Sequence, residues 1–313
     1  KRWKEDVINL NEMKSKLGGD CILASAFVSY VGVFNNVFRD NIVSKFKELI
    51  ALKDIAITSG LDVVNLLVKE EEVLKYKSEN LPDDPFSIAN AAIIKRCQRW
   101  PLIIDPQTQA MKWIRGMSGK KVIVQYGQKY WGKAIGEGVE AGDITVIEDC
   151  AQEIDALLLP LLGKETYRRE GSLYIKLGSD EYVYNPNTMV YLVTKITNPH
   201  YQPEIAAQCT LINFIVTERG LEDQLLALVV NTEQPELEDK IKKCFADINN
   251  FQRELIQKED YVLRNLNSAD ENTILDNVEL VTSLEQTKKS ALAATAFSNN
   301  RCELSIRNMK AYL

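Results

Sequence analysis

Five short, unbroken apolar runs recur along the middle of the chain: PLIID (101–105), KVIVQY (121–126), ITVIED (144–149), MVYLVT (189–194) and LINFIV (211–216). A strand that is apolar on both alternating faces must be covered on both, which is the condition of a parallel sheet flanked by helices. Segments of helical periodicity separate the runs, so the pattern predicts an α/β fold. SLYIKLGSDEYVYNP (172–186) is different: its residues alternate around Gly178-Ser179-Asp180, which predicts a β-hairpin inserted between two of the buried strands.

The flanks read as helix. KRWKEDVINLNEMKSKL spaces Trp3, Val7, Leu10, Met13 and Leu17 at helical steps, and Gly18-Gly19 is expected to stop or bend it. CILASAFVSYVGVFNNVF (21–38) is the longest uncharged run and approaches the length of a membrane span. Ser25, Ser29, Gly32, Asn35 and Asn36 interrupt it, so it reads as a buried helix of a soluble domain. A third helix is expected near 41–52, and two more start at Ser59 and at Asp84-Pro85. Beyond about 218 the strands cease. Apolar or near-apolar residues at 237, 241, 244, 248, 251, 255 and 262 form a heptad seam that misses a member at Lys258, LNSADENTILD breaks it, and a weaker seam follows from Val278. Two long helices with a short polar link predict an antiparallel coiled-coil hairpin.

Several chemistries have little to work with. The net charge of −6 leaves no bulk basic surface for nucleic acid or an anionic membrane. Six scattered cysteines without a C-x-x-C pair argue against a zinc site or disulfide framework, and buried inert thiols are expected. The single histidine, His200, sits in the Pro-bounded TNPHYQP, where a structural hydrogen bond is expected. The first residue is Lys, so the sequence reads as part of a longer chain, and no leading segment resembles a signal or transit peptide.

A phosphate-binding loop is the remaining question. GQKYWGKA (127–134) nearly matches G-x-x-x-x-G-K-[ST], but Ala134 replaces the hydroxyl and Tyr130 and Trp131 crowd the loop. It reads as an amphipathic helix after the second strand. The loop position after PLIID holds PQTQAMKWI, with no glycine and no adjacent Lys-Ser/Thr pair. Asp105 there would repel phosphate. Glu148 and Asp149 end the third strand like the metal and water carboxylates of an ATPase, yet solvated or capping carboxylates are common at such ends.

The sequence resembles the dynein heavy chain family, and within its motor the fifth AAA+ module. GGDCILASAFVSYVGVF (18–34), LPDDPFSIANAAIIKRCQRWPLIIDPQTQAMKWI (81–114), YIKLGSDEYVYNPNTMVYLVTKITNPHYQPE (174–204), INFIVTERGLEDQLLALVV (212–230) and LNSADENTILDNVELVTSLEQTKK (266–289) carry the resemblance in collinear order. RWPLIIDPQTQAMKWI, TNPHYQPE and GLEDQLL look more like the axonemal than the cytoplasmic branch.

The resemblance implies an AAA+ type five-stranded parallel sheet with an inserted hairpin and a C-terminal antiparallel coiled-coil hairpin. It implies the end of the stalk coiled coil in 1–19, the large α/β subdomain in 20–217, and in 218–313 a small-subdomain helix extended into the buttress or strut. In this family the first module carries the main ATPase and the fifth generally lacks a working nucleotide site. The resemblance therefore implies no catalytic residue and no metal here, with ATP and Mg²⁺ held by other modules. Asp105, Pro106, Gln107, Thr108, Lys112, Glu148, Asp149 and Thr194 would be a vestigial pocket. PEIAAQCT has no arginine where many AAA+ modules place a finger, and Arg168 and Arg169 lie elsewhere. Asn267, Asp270, Glu271, Asn272 and Asp276 are expected at a hairpin tip that meets the stalk. Implied partners are neighbouring AAA+ modules, the stalk, the microtubule through the stalk tip, and intermediate and light chains of the parent motor. Nucleic acid and membrane are not among them, and the implied location is the axoneme of a cilium or flagellum. Two alternatives stand beside this: a regulatory nucleotide-binding module using Lys112 or Lys133 with Glu148, and an unrelated coiled-coil interaction protein with an α/β head.

Overall fold

The structure, a computed structural model, describes residues 2–169 and 171–233. Residues Lys1–Gln224 form one compact unit, and Leu225–Leu313 form a second, described only as far as residue 233. The expected coiled-coil hairpin and its tip residues Asn267, Asp270, Glu271, Asn272 and Asp276 lie outside the described residues, as do Cys244 and Cys302.

The chain opens with α1 (Arg2–Ala26), which runs into a π-helical turn (Phe27–Val31), followed by α2 (Asn36–Leu52), α3 (Val63–Leu67), α4 (Glu70–Ser78) and α5 (Pro85–Arg96). The α/β part continues with β1 (Trp100–Ile104), α6 (Gln109–Gly116), β2 (Lys121–Gln125), α7 (Trp131–Ala141), β3 (Ile144–Glu148) and α8 (Leu159–Leu162). Then come β4 (Thr166–Arg169), β5 (Ser172–Leu177), β6 (Asp180–Val183), β7 (Met189–Thr194), α9 (Pro203–Gln208), β8 (Cys209–Asn213) and α10 (Glu218–Glu233).

The five apolar runs become β1, β2, β3, β7 and β8, which form one parallel sheet in the order β2-β3-β7-β1-β8. Along β1 the side chains divide between two cores. Ile103 joins Val193, Ile212 and Tyr191 beneath α1, α5 and α6, whereas Trp100 and Leu102 join Leu192, Val190 and Cys209 beneath α7, α8 and β5. This two-sided burial is why the central strands read as continuous apolar runs. β2 is an edge strand, and its Ile123 is exposed.

The insertion after β3 is larger than a hairpin. β4 pairs antiparallel with β5, adding a third strand to the expected β5–β6 pair. Leu173, Ile175 and Leu177 are its more buried positions, and the ring of Tyr182 on β6 lies against Gly136 on α7.

Three expectations at the N-terminal end need correction. Gly18-Gly19 does not stop the first helix, because α1 continues to Ala26. Gly19 serves packing instead: a Cβ there would run into the backbone carbonyl of Ala56, whereas one at Gly18 would meet open space. The run 21–38 is no single buried helix. It comprises the end of α1, the π-turn, a short break and the start of α2, and Tyr30, Val37 and Phe38 are exposed. α2 accordingly begins at Asn36, capped by the Asn35 side chain, which accepts from the Phe38 N–H at 3.1 Å. The helix expected from Ser59 starts from an Asp62 cap and is broken between α3 and α4. Asp84 caps α5 as expected, accepting from the Ser87 N–H at 2.8 Å.

The two adjacent glycines give a paired prediction. Gly18→Ala should stabilise the fold by up to about 1 kcal/mol, the helix-propensity difference. Gly19→Ala should destabilise it by about 1–3 kcal/mol, because a backbone carbonyl has to move. Urea unfolding of the two variants checks the opposite signs.

Candidate functional site

In an open α/β sheet a ligand site lies at the carboxyl ends of the strands. Here the order β3-β7-β1 brings together the strand ends that carry Glu148-Asp149, Thr194 and Asp105. Ile104 is in register with Thr194, and the Asp105 N–H donates to the Thr194 carbonyl at 2.9 Å. The sequence-derived pocket residues of β1, β3 and β7 are therefore neighbours in space. Each is bonded to a group of the protein itself.

Asp105 is fully buried. Its Oδ1 accepts from the Gln109 N–H at 2.8 Å and its Oδ2 from the Met111 N–H at 3.0 Å. Both donors belong to the first turn of α6, whose amides have no intrahelical partner and would otherwise suit an anion. A carboxylate of the chain thus takes up two of the N–H groups at the start of α6. Burial pushes this carboxyl above its ordinary value of 3.8, opposed by the backbone N–H groups and by Lys112. The loop is closed by Pro106, Gln107 and Thr108, and Thr108 adopts a left-handed conformation with φ of 60°. Lys112 is exposed on α6.

The acidic pair at the end of β3 is split between two cations. Glu148 pairs with Arg115 of α6 at 2.6 Å, and Asp149 pairs with Lys195, just after β7, at 2.7 Å. The bond to Asp149 raises the Lys195 ammonium. Thr194, buried between the two, donates its Oγ1 hydrogen to the Cys150 carbonyl at 2.9 Å and accepts the Ile196 N–H at 3.2 Å. Arg115 and Lys195 went unnoticed at the level of sequence. Neither lies in a motif, and only the strand order puts them beside these carboxylates.

The near-match GQKYWGKA takes no part in this edge. Tyr126 packs on Trp131 with ring centroids 5.0 Å apart, Tyr130 occupies the N-cap of α7 at φ 64°, and exposed Lys133 faces Glu137 at 3.8 Å. The helix expected there is present. Its glycines admit neighbours: Gly132 faces Leu157, Gly136 faces Tyr182 and Gly138 faces Thr145.

Elsewhere, burial raises the Cys97 thiol to about 11 and those of Cys150 and Cys209 to about 12, as expected of inert thiols. Cys21 is exposed, contrary to expectation, on the outer side of α1. His200 is exposed in its loop, where its carbonyl accepts from Gln152 at 3.3 Å. Arg169 pairs with Glu181 across the inserted sheet at 3.3 Å. Among the described residues no cluster of three or more His, Cys, Asp or Glu could hold a metal, and no helix is long and apolar enough to cross a membrane.

Comparison with known proteins matches this architecture. The family model described as the ATP-binding dynein motor region matches residues 74–293, and that described as the microtubule-binding stalk of dynein motor matches residues 1–49. The chain is 40% identical to the dynein beta chain of the flagellar outer arm of Chlamydomonas reinhardtii, over 93% of its own length and 6% of the relative's. It is 42% identical to the ciliary dynein beta chain of Tripneustes gratilla and 41% identical to dynein axonemal heavy chain 9 of Homo sapiens, with the same coverage. The chain thus spans about 6% of the length of these relatives.

The buried carboxylate gives a pH prediction. A carboxyl whose folded-state value is raised binds more protons when folded, so it lowers stability as pH rises from 3.8 through the folded-state value. Asp105→Asn should remove that slope. It should also cost about 1–3 kcal/mol at neutral pH, because an amide cannot accept from both N–H groups. Chemical denaturation across the acid range reads both effects.

Proposed function

This chain belongs to the dynein heavy chain family, and on that premise we propose that it is a non-catalytic AAA+ ring module. It passes ATP-driven ring movement to the microtubule-binding stalk. In this reading residues 1–19 end the stalk coiled coil, 20–217 are the large subdomain, and 218–313 extend into a buttress hairpin that braces the stalk. The names of the relatives, flagellar, ciliary and axonemal, support a place in axonemal motility. Hydrolysis of ATP with Mg²⁺ then belongs to other modules of the parent chain. Neighbouring modules and the stalk are its direct contacts, intermediate and light chains join through the parent motor, and the microtubule is reached only through the stalk tip.

One observation carries the non-catalytic reading: the Asp105 carboxylate sits on the N–H groups of α6 that a phosphate would need. A nucleotide would have to expel a buried anion bonded to those amides while bringing several negative charges of its own. It would also find Glu148 and Asp149 already paired with Arg115 and Lys195, leaving a Mg²⁺ ion two ion pairs to break.

Titration calorimetry with Mg·ATP and Mg·ADP, up to millimolar nucleotide, should give no binding heat. Binding that Lys112→Ala abolishes would replace this reading with a regulatory nucleotide site. The bracing role has a separate check. Charge reversal at Asp270 and Glu271 should alter the nucleotide dependence of microtubule affinity in the full motor. An unchanged dependence in a folded motor would remove the tip contact from the proposal.

A further inference from the structure

One side chain at the carboxyl edge of the sheet reaches beyond it. Gln109, the first residue of α6, makes two separate bonds. Its N–H donates to Asp105 Oδ1 at 2.8 Å, and its side-chain Nε2 donates to Gln224 Oε1 on α10 at 3.0 Å. Both glutamines are half-buried, and they stand 115 positions apart in the chain.

The start of α10 is built for close seating. After β8 the Phe214 N–H donates to the Ile104 carbonyl at 2.9 Å, so the chain leaves the sheet beside β1. Thr217 then caps the helix: its Oγ1 accepts the Gly220 N–H at 3.1 Å and its carbonyl accepts the Leu221 N–H at 2.9 Å. Gly220 is buried, and a Cβ there would meet Thr217 Oγ1 at 3.0 Å and the carboxylate of Asp84, the cap of α5, at 3.7 Å. Gly220 and Gln224 stand at i and i+4, and therefore on one face of the helix. Leu221 and Leu225 stand on another and are exposed. Gln224 is also the last residue of the first compact unit.

We propose that Gln109 and Gln224 form a latch that seats the start of α10 on the carboxyl edge of the sheet. Gly220 gives α10 close contact without a directional bond, and Leu221 faces solvent, so the amide pair sets how α10 lies at the end of this unit. A neutral hydrogen bond of this kind shifts a local equilibrium by about two- to tenfold. That is enough to favour one seating and weak enough to release it. Asp105 acts at one remove: by holding the Gln109 N–H it fixes the backbone from which the latch side chain projects. Gln109 and Gln224 are therefore positioning residues, and Asp105–Gln109–Gln224 is a continuous line of bonds from β1 through α6 to α10. The latch rests on the non-catalytic reading in one respect: the first turn of α6 is engaged by Asp105, which leaves the Gln109 side chain to serve α10.

Hydrogen exchange of the full-length, nucleotide-free motor tests the latch. Gln109→Ala should speed exchange of the amides of residues 220–224 by about two- to tenfold, while those of buried α5 stay constant. Gln224→Ala should do the same, and the double variant should add nothing to either single one, since both remove one bond. Gln109→Glu combined with Gln224→Lys puts an ion pair in place of the amide pair and should return the exchange towards the wild-type rate. Unchanged exchange in a single variant overturns the proposal. So does a double variant in which the two effects multiply, or an ion-pair variant that exchanges as fast as the alanine variants. Should Gln109→Ala prevent folding, Gln224→Ala and the ion-pair variant decide by the same measurement. Binding heat in the nucleotide titration would remove the non-catalytic reading, whereas the exchange rates of these variants decide the latch separately.

Discussion

The two-sided burial of β1 is the constraint from which the rest follows. Trp100, Leu102, Ile103 and Ile104 have almost no contact with solvent, and the strand takes hydrogen bonds from β7 on one side and β8 on the other. A parallel strand in that position needs a layer on each face, and the connections of the chain supply both. α1, α5 and α6 close one side, while α7, α8 and the inserted sheet close the other. The carboxyl end of the same strand then delivers Asp105 directly to the start of α6. A strand that anchors the fold thus also decides what stands at the ligand edge.

At that edge the chemistry is one of mutual satisfaction. A helix N-terminus attracts an anion, and here the anion is a side chain four residues upstream of the first donor, Gln109. Glu148 and Asp149, which in an active site would hold a metal or a water, are held by Arg115 and Lys195. Thr194 spends its hydroxyl on the backbone at Cys150. These bonds tie α6, β3 and β7 together at the carboxyl edge of the sheet.

The N-terminal helix follows a different logic, set by close approach. Gly19 lets α1 lie on the carbonyl of Ala56, and Gly32 lets the following turn lie on the carbonyl of Leu211. In sequence Gly19, with Gly18, reads as a break, because a glycine inside a helical pattern ordinarily signals an end, while Gly32 reads only as an interruption of an apolar run. Only the partner that comes within reach shows that its service is the missing Cβ. The glycines of α7 make the same point: a pattern that resembled a phosphate loop is spent on contact with Leu157, Tyr182 and Thr145.

What the sequence determined by itself was whatever local periodicity and motif can carry. The apolar runs marked all five parallel strands, and Asp84-Pro85 marked the start of α5. The collinear phrases carried the family. What only the tertiary structure decided were pairings between distant positions: Glu148 with Arg115, Asp149 with Lys195, Asp20 with Thr58, and Arg39 with Asn90. The third strand of the inserted sheet and the π-turn belong to the same class. The physical reason is that charge pairing and close packing depend on which surfaces the chain folds together, and a linear pattern holds no record of the partner's side.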